Sequence, residues 1–160
     1  MKLDLISLGE AIIDLIPVDH STYKACFGGA PMNTAVACSK LGMKVGVLTA
    51  VGKDALGEII LNTLNQYGID TSRVQRLPYR TTLAFVVKLP KGEREFFFYR
   101  KPWSLSADTE LKLESKDYEY VKSSKILHFT GFSLSQEPAR SSIIELLENI
   151  KEKIIVSFDP

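Results

Sequence analysis

The stretch FGGAPMNTAVACSKLG, at residues 27–42, combines residue types suited to holding a small ligand at the start of a helix. Gly28 and Gly29 have no side chain, so a ligand can approach the backbone closely there. Pro31 suits the first turn of a helix, because its missing N–H would have no partner at that position. Asn33 carries an amide that can exchange hydrogen bonds with ligand hydroxyls, although local capping would use the same atoms. The pattern predicts a ligand-binding loop and leaves open whether it holds a phosphate.

Two charged residues lie beside strongly apolar runs. Asp14 falls within AIIDLI, and burying a carboxylate there without a partner would be very costly. It is therefore either an outward-facing strand residue or a ligand contact. Arg100 ends the aromatic run REFFFYR, where it either meets an anionic or hydroxyl-rich ligand or is solvated at the strand end.

Common nucleotide-binding and hydrolase motifs are missing from this sequence, which has no GxxxxGK[ST], GxGxxG or GxSxG. VGKDALGE, at residues 51–58, is similar to a phosphate loop, but Asp54 follows Lys53 where Ser or Thr would be needed. A carboxylate at a helix start competes with phosphate for the same N–H groups, so we predict a strand-to-helix turn. His20 lies in a predicted turn, and His128 is expected to be a core residue rather than a catalytic base.

Composition excludes several classes of function. The 20 Lys and Arg residues against 19 Asp and Glu give a net charge of +1, which predicts no general attraction to nucleic acid or to an anionic membrane. No apolar run approaches the roughly 18–20 residues of a membrane helix, and acidic residues interrupt the N-terminal apolar run. Cys26 and Cys38 form no metal-binding motif, so no metal site is predicted and both thiols are expected to be reduced. A cytoplasmic protein is the expectation.

Alternating strands and helices predict an α/β fold with a mostly parallel sheet. The predicted strands are 3–8, 11–16, 22–27, 44–51, 81–89, 94–100, 124–131 and 154–160. The predicted helices are 31–41, 55–67 and 137–153, with two short helices within 101–124. The second and third strands form one hairpin and the fifth and sixth another. These hairpins interrupt the alternation and predict a second, small sheet that acts as a lid.

The second hairpin is unusually aromatic. In a strand, residues 96 and 98 face one way and residues 97 and 99 the other. All four are aromatic, so both faces are expected to contact protein or ligand.

Residues 28–52 resemble the N-terminal signature of the ribokinase-like sugar kinases of the phosphofructokinase B type. The matching positions are a glycine pair, a proline, an asparagine, an alanine and two later glycines: Gly28, Gly29, Pro31, Asn33, Ala35, Gly42 and Gly52. LGEAIIDLIP, VGKDALGE and the final SFDP are also similar to the family. The resemblance implies a three-layer α/β/α domain with a small β-sheet lid. Residues 1–160 would be the N-terminal part of that domain, with lid strands near 11–27 and 81–100.

The resemblance also implies a function, namely ATP-dependent phosphorylation of a sugar hydroxyl. In the family, the aspartate corresponding to Asp14 binds sugar hydroxyls, and the residues corresponding to Gly28, Gly29 and Asn33 line the same pocket. The small-molecule partner would be a sugar, and the intact protein is expected to be a homodimer joined through its lids.

The segment GEREFFFYRKPWSLSADTEL resembles the lid of bacterial fructokinases, apart from Trp103, which stands where a small residue is common. That pattern implies that Phe97 and Tyr99 share the substrate face of the lid, with Arg100 near the substrate. The alternative is 2-keto-3-deoxygluconate kinase, whose acidic substrate needs a cation.

The family's catalytic base, in a Gly-Ala-Gly-Asp motif, and its magnesium-associated element do not occur in these 160 residues. The resemblance therefore implies that the catalytic residues lie beyond Pro160. We expect residues 1–160 to be a sugar-binding half with no catalytic residue of its own, ATP and Mg²⁺ being bound strongly only in an intact protein. The expectation for this chain alone is no kinase activity and marginal stability or association. A non-catalytic, sugar-binding truncated paralogue is a further alternative.

Overall fold

A computed structural model describes residues 2–150 and 154–160 and arranges their strands in separate sheets. In chain order the elements are β1 (Leu3–Leu8), β2 (Ile12–Pro17), β3 (Tyr23–Gly28), α1 (Ala30–Lys40), β4 (Val45–Leu48), β5 (Ala50–Gly52), α2 (Ala55–Gln66), β6 (Gln75–Leu77), β7 (Thr82–Lys88), β8 (Arg94–Tyr99), α3 (Ser115–Lys122), β9 (Ser124–Thr130), α4 (Ala139–Asn149) and β10 (Ile155–Asp159). Short 3₁₀ helices lie at Pro90–Gly92, Ala107–Glu110 and Phe132–Leu134.

The main sheet has the strand order β10-β9-β1-β4, and every pairing in it is parallel. Helices cover both of its faces. One core joins the sheet to α3 and α4 through side chains such as Val121 and Ile143. The other joins it to α1 and α2 through side chains such as Met32 and Ile60. The predicted α/β/α layering with a mostly parallel sheet is confirmed.

Both predicted hairpins enter one second sheet, with the strand order β3-β2-β7-β8. We call it the lid sheet. The hairpins are joined side by side because β2 and β7 pair in parallel. In this register Asp14 lies between Cys26 and Ala84, and Ala84 lies opposite Phe98. These four residues therefore share one face of the lid sheet.

The predicted strand 44–51 is two strands in different sheets. It breaks at Thr49, whose hydroxyl donates to the Gly9 carbonyl at 2.6 Å. Beyond the break, β5 leaves the main sheet and pairs with β6, a three-residue strand too short to show a periodicity. Residues 101–124 hold one 3₁₀ helix and one α-helix. The predicted helix 137–153 is observed as α4, and residues 151–153 lie outside the described residues.

Within the described ranges, no helix has both the length and the apolar character needed to cross a membrane.

Candidate functional site

A cavity of about 350 Å³ opens between the lid sheet and the carboxyl ends of the main sheet's strands. We call it the junction cavity. In open α/β sheets, ligands bind at this end of the strands. Its lining comes from the end of β1, from β2, from the start of α1, from β8 and from the turn after β9: Glu10, Ile12, Asp14, Gly29, Ala30, Asn33, Phe96, Phe98 and Phe132.

Asp14 is the carboxylate that the structure leaves available for a ligand. Burial raises its pKa, and within residues 2–150 and 154–160 no donor reaches its oxygens. A half-buried carboxylate without a partner is unfavourable unless ligand or water donors satisfy it. Gly28 lies beside it on β3, where a Cβ atom would collide with the Asp14 carboxylate. A glycine at position 28 is therefore what gives this carboxylate room.

The loop before α1 supplies the polar floor of the junction cavity. Gly29 has φ of 105°, a conformation that favours glycine, and a Cβ atom there would strike the Glu10 carbonyl. In the part of the chain that the structure describes, no side chain caps the start of α1. Asn33 donates its backbone N–H to the Gly29 carbonyl at 2.8 Å, while its side chain is exposed at the cavity. Its amide is therefore free of the capping role that the sequence left open.

Glu10 is a second carboxylate at the junction cavity, and it was not predicted from the sequence. It is only 3% exposed, and burial raises its pKa although the Ser133 hydroxyl donates to it at 2.6 Å. Thr130 donates at 3.2 Å. Its place just after Gly9, the residue that follows β1, was the available signal, because ligand-binding residues gather at carboxyl ends of strands.

Aromatic rings form one wall of the junction cavity. Phe96 and Phe98 belong to the lid sheet, and Phe132 follows β9. The Phe98 and Phe132 ring centroids are 4.9 Å apart. Phe132 was not predicted, because only the folded chain brings the turn after β9 against β8.

The structure does not bring Phe97 and Tyr99 to the junction cavity. The register that aligns Asp14 with Ala84 and Phe98 turns these two rings to the outer face of the lid sheet. There they pack on Phe85, with centroid distances of 4.9 Å and 5.5 Å.

Arg100 is also absent from the junction cavity. Its side chain is buried, and its Nε donates to the Asp108 carboxylate at 2.6 Å. A salt bridge to a buried acid, rather than a ligand, satisfies its charge.

Pro160, beyond which the sequence analysis expects the catalytic residues, directly follows β10 at the carboxyl end of the main sheet. It is exposed, and it does not belong to the lining of the junction cavity. Its backbone packs beside Gly131, where a Cβ atom would lie 3.2 Å from the Pro160 carbonyl carbon. Pro160 is therefore a neighbour of the turn after β9 rather than a residue of the site, and the expected position of the catalytic residues stays a prediction.

The turn in VGKDALGE is confirmed. Asp54 caps α2 by accepting the Gly57 N–H at 2.8 Å, and it also accepts the Thr81 N–H at 2.9 Å. Asp54 therefore occupies the Gly57 amide, which a phosphate at this helix start would otherwise bind. His128 is buried away from the junction cavity, with its Nδ1 3.0 Å from the Ser157 hydroxyl. Among residues 2–150 and 154–160, no three His, Cys, Asp or Glu side chains are grouped so as to hold a metal ion.

Comparison with known sequences gives this architecture a family. Residues 2–160 match the pattern described as "pfkB family carbohydrate kinase". The chain belongs to the pfkB family. The resemblance drawn from the glycine loop is thereby confirmed.

Similar members of the pfkB family include fructokinases. The chain is 36% identical, over 98% of its length, to "Probable fructokinase-6, chloroplastic" of Arabidopsis thaliana. The fructokinase of Halothermothrix orenii superposes with a TM-score of 0.88 at 34% identity, covering 99% of this chain. The Vibrio cholerae fructokinase, crystallised with fructose, ADP and calcium, gives 0.82 at 32% identity and 99% coverage.

The chain spans about half the length of these relatives: 42% of the Arabidopsis protein, 57% of the Halothermothrix chain and 51% of the Vibrio chain. That a whole protein containing this chain shares their activity is therefore a proposal.

Proposed function

We propose that these 160 residues are the sugar-recognition part of an ATP-dependent fructokinase. The observation that carries the proposal is Asp14, a partly buried carboxylate that receives no hydrogen bond from residues 2–150 and 154–160, in a cavity floored by Gly29 and Asn33. Sugar hydroxyls are donors that match it. The similarity to fructokinases, one of which is crystallised with fructose, supports the same ligand.

The chain's contribution to the reaction would be binding and orientation. Asp14 accepts hydrogen bonds from sugar hydroxyls, and the Asn33 amide donates and accepts. Phe96, Phe98 and Phe132 pack against the apolar C–H faces of the sugar and exclude water. ATP with its magnesium, when bound by the intact protein, would supply the phosphoryl group. Such transfers depend largely on positioning, so a sugar held in one orientation is the part of catalysis that these residues provide.

The charges at the junction cavity favour an uncharged sugar. Glu10 and Asp14 line it, and its described lining contains no lysine or arginine. A sugar acid or a sugar phosphate would meet two carboxylates without a compensating cation. Arg100, the cation that 2-keto-3-deoxygluconate would need, is neutralised by Asp108. Fructose therefore fits better than the keto acid.

We further propose that this chain alone does not transfer phosphate and does not bind ATP or Mg²⁺ strongly. The basis is the resemblance, which assigns the catalytic base and the anion-binding loop to a motif beyond Pro160. The intact protein is proposed to form a homodimer through the outer face of the lid sheet, where Tyr23, Phe97 and Tyr99 are each about half exposed.

Calorimetric titration of fructose into the polypeptide encoded by the complete reading frame tests Asp14 directly. Asp14→Asn should weaken binding about tenfold to a hundredfold, because a hydrogen bond to a charged group is worth roughly 1.5–3 kcal/mol. Glu95→Gln, which changes an exposed carboxylate on the outer face of the lid sheet, is the matched control and should bind like the parent. Unchanged affinity in Asp14→Asn would rule out the proposed sugar contact. A parallel assay for ADP release should detect none with the 160-residue chain.

A further inference from the structure

Arg100 joins the lid sheet to the rest of the fold through a set of buried contacts. It directly follows β8 and is 4% exposed. Besides the bond from Nε to Asp108, its Nη1 donates to the Ser135 hydroxyl at 2.7 Å. Its guanidinium carbon lies 4.3 Å from the centroid of the Phe132 ring. The three partners come from segments outside the lid sheet.

Asp108 is the anchor on the other side of this junction. It is 4% exposed and lies in the 3₁₀ helix Ala107–Glu110, whose Ala107 belongs to the core shared with α3 and α4. Asp108 also accepts a hydrogen bond from the Thr82 hydroxyl on β7. Asp108 therefore binds both strands of the second hairpin: Thr82, the first residue of β7, and Arg100, the residue after β8.

Phe132 lies between this arginine and the junction cavity. Phe98 and Phe132 line the junction cavity, and both also line a second cavity of about 360 Å³ whose lining includes Arg100. The Ser135 hydroxyl, which accepts from Arg100, donates to the Phe132 carbonyl at 2.6 Å. Arg100 therefore stabilises the position of Phe132 in two ways. It contacts the Phe132 ring directly, and it binds Ser135, which in turn binds the Phe132 carbonyl.

We propose that Arg100 is a positioning residue for the sugar site. It fixes the lid sheet and the Phe132 turn relative to each other, and so sets the Phe98–Phe132 wall, without touching the sugar. This inference rests on the proposed function for its kinetic consequence. It replaces the direct substrate contact that the sequence analysis expected for Arg100.

The kinetic test compares three ketohexoses that differ in the configuration of single hydroxyls: fructose, its C4 epimer tagatose and its C5 epimer sorbose. The protein is the polypeptide encoded by the complete reading frame. In Arg100→Lys the KM for each sugar that is turned over should rise by a common factor of about ten, leaving kcat within about threefold and the KM ratios unchanged. Arg94→Gln, at the exposed first residue of β8, should behave like the parent. KM ratios that change about tenfold in Arg100→Lys would identify a direct hydroxyl contact and overturn the proposal.

A double-mutant cycle asks whether Arg100 acts through Phe132. Because both residues shape one wall, Arg100→Lys combined with Phe132→Leu should raise KM little more than the larger single effect. Fully additive effects would contradict the proposal. If Arg100→Lys does not fold, Ser135→Ala takes its place in the ketohexose kinetics and in the double-mutant cycle, because it removes the hydroxyl that joins Arg100 to the Phe132 turn.

Hydrogen exchange tests the positioning role of Arg100 without any substrate. Arg100→Lys should speed exchange in β7, in β8 and around Phe132–Leu134, and Arg94→Gln should not. Unchanged exchange at these segments in Arg100→Lys would overturn the positioning role. If the parent phosphorylates none of the three sugars, the proposed function fails, and the exchange result alone decides the role of Arg100.

Discussion

Asp14 is a half-buried strand residue with three properties that together point to a ligand. Burial raises its pKa, no donor in the described residues satisfies it, and Gly28 leaves room beside it. An outward-facing, solvated aspartate would need none of these. Burying the Asp14 carboxylate without a partner is unfavourable, yet Gly28 leaves the space beside it open. This combination is the strongest residue-level argument for a ligand at Asp14.

The two faces of the lid sheet give a residue-scale prediction. Phe98→Leu should weaken fructose binding by on the order of 1 kcal/mol, about fivefold, because an aromatic wall residue of the junction cavity is lost. Phe97→Leu removes an equal ring from the outer face and should leave the affinity unchanged. Calorimetry on both variants distinguishes the faces. A larger loss in Phe97→Leu would favour the arrangement that the sequence pattern implied.

At this scale the sequence predicted residue types better than their directions. Asp14, Gly29 and Asn33 were identified because their chemistry is unusual for their local context, and the structure brings them together. The period-two pattern divided the aromatic residues into two sets correctly. Which set faces inward depends on the pairing of β7 with β2, a contact between strands far apart in sequence, and the pattern carries no information about it.

At the scale of elements, the sequence predicted the main strands and helices but missed β6 and the break within residues 44–51. The α1 and α2 helices follow from clear start and stop residues. By contrast, β6 has only three residues, and at the break the Thr49 hydroxyl bonds the carbonyl of Gly9, a residue far away in sequence. Such features arise from tertiary contacts that local propensity does not encode.

Asp54 gives an element-scale prediction, since it ties the start of α2 to the residue before β7. Burial raises the pKa of its carboxyl, but hydrogen bonds from Thr81 and Gly57 outweigh burial and hold the pKa below the usual value of 3.8. Asp54→Ala should cost about 1–2 kcal/mol of unfolding free energy near pH 7, as for other lost helix caps. Urea unfolding measures this.

The pH dependence of that effect follows from the sign of the shift. A lowered folded-state pKa gives stability that is present above the unfolded pKa and is lost as the pH falls through the folded value. The difference between parent and Asp54→Ala should therefore shrink below about pH 4. A difference that stays constant from pH 7 to pH 3 would contradict the role assigned to the carboxylate charge.

At the scale of the whole molecule, the outer face of the lid sheet presents an exposed aromatic surface. Phe85, Phe97, Tyr99 and Tyr23 form a continuous set of ring contacts there, and the last three are about half exposed. A contiguous apolar patch of this kind is typical of interfaces.

The proposed homodimer can be tested on this patch. Phe97→Ser combined with Tyr99→Ser should shift the polypeptide of the complete reading frame from dimer to monomer in sedimentation velocity. The exposed Ile59→Ser on α2 is a control that should leave the mass unchanged. A dimer that persists in the double variant would place the interface elsewhere.

The central claim is that the junction cavity selects an uncharged sugar through Glu10 and Asp14. The most direct measurement is kcat/KM of the complete-reading-frame polypeptide for fructose, fructose 6-phosphate and 2-keto-3-deoxygluconate under identical conditions. We predict at least about a hundredfold preference for fructose over either anion, since each would bring a negative charge towards two carboxylates. A higher kcat/KM for either anion would contradict the assignment of the cavity.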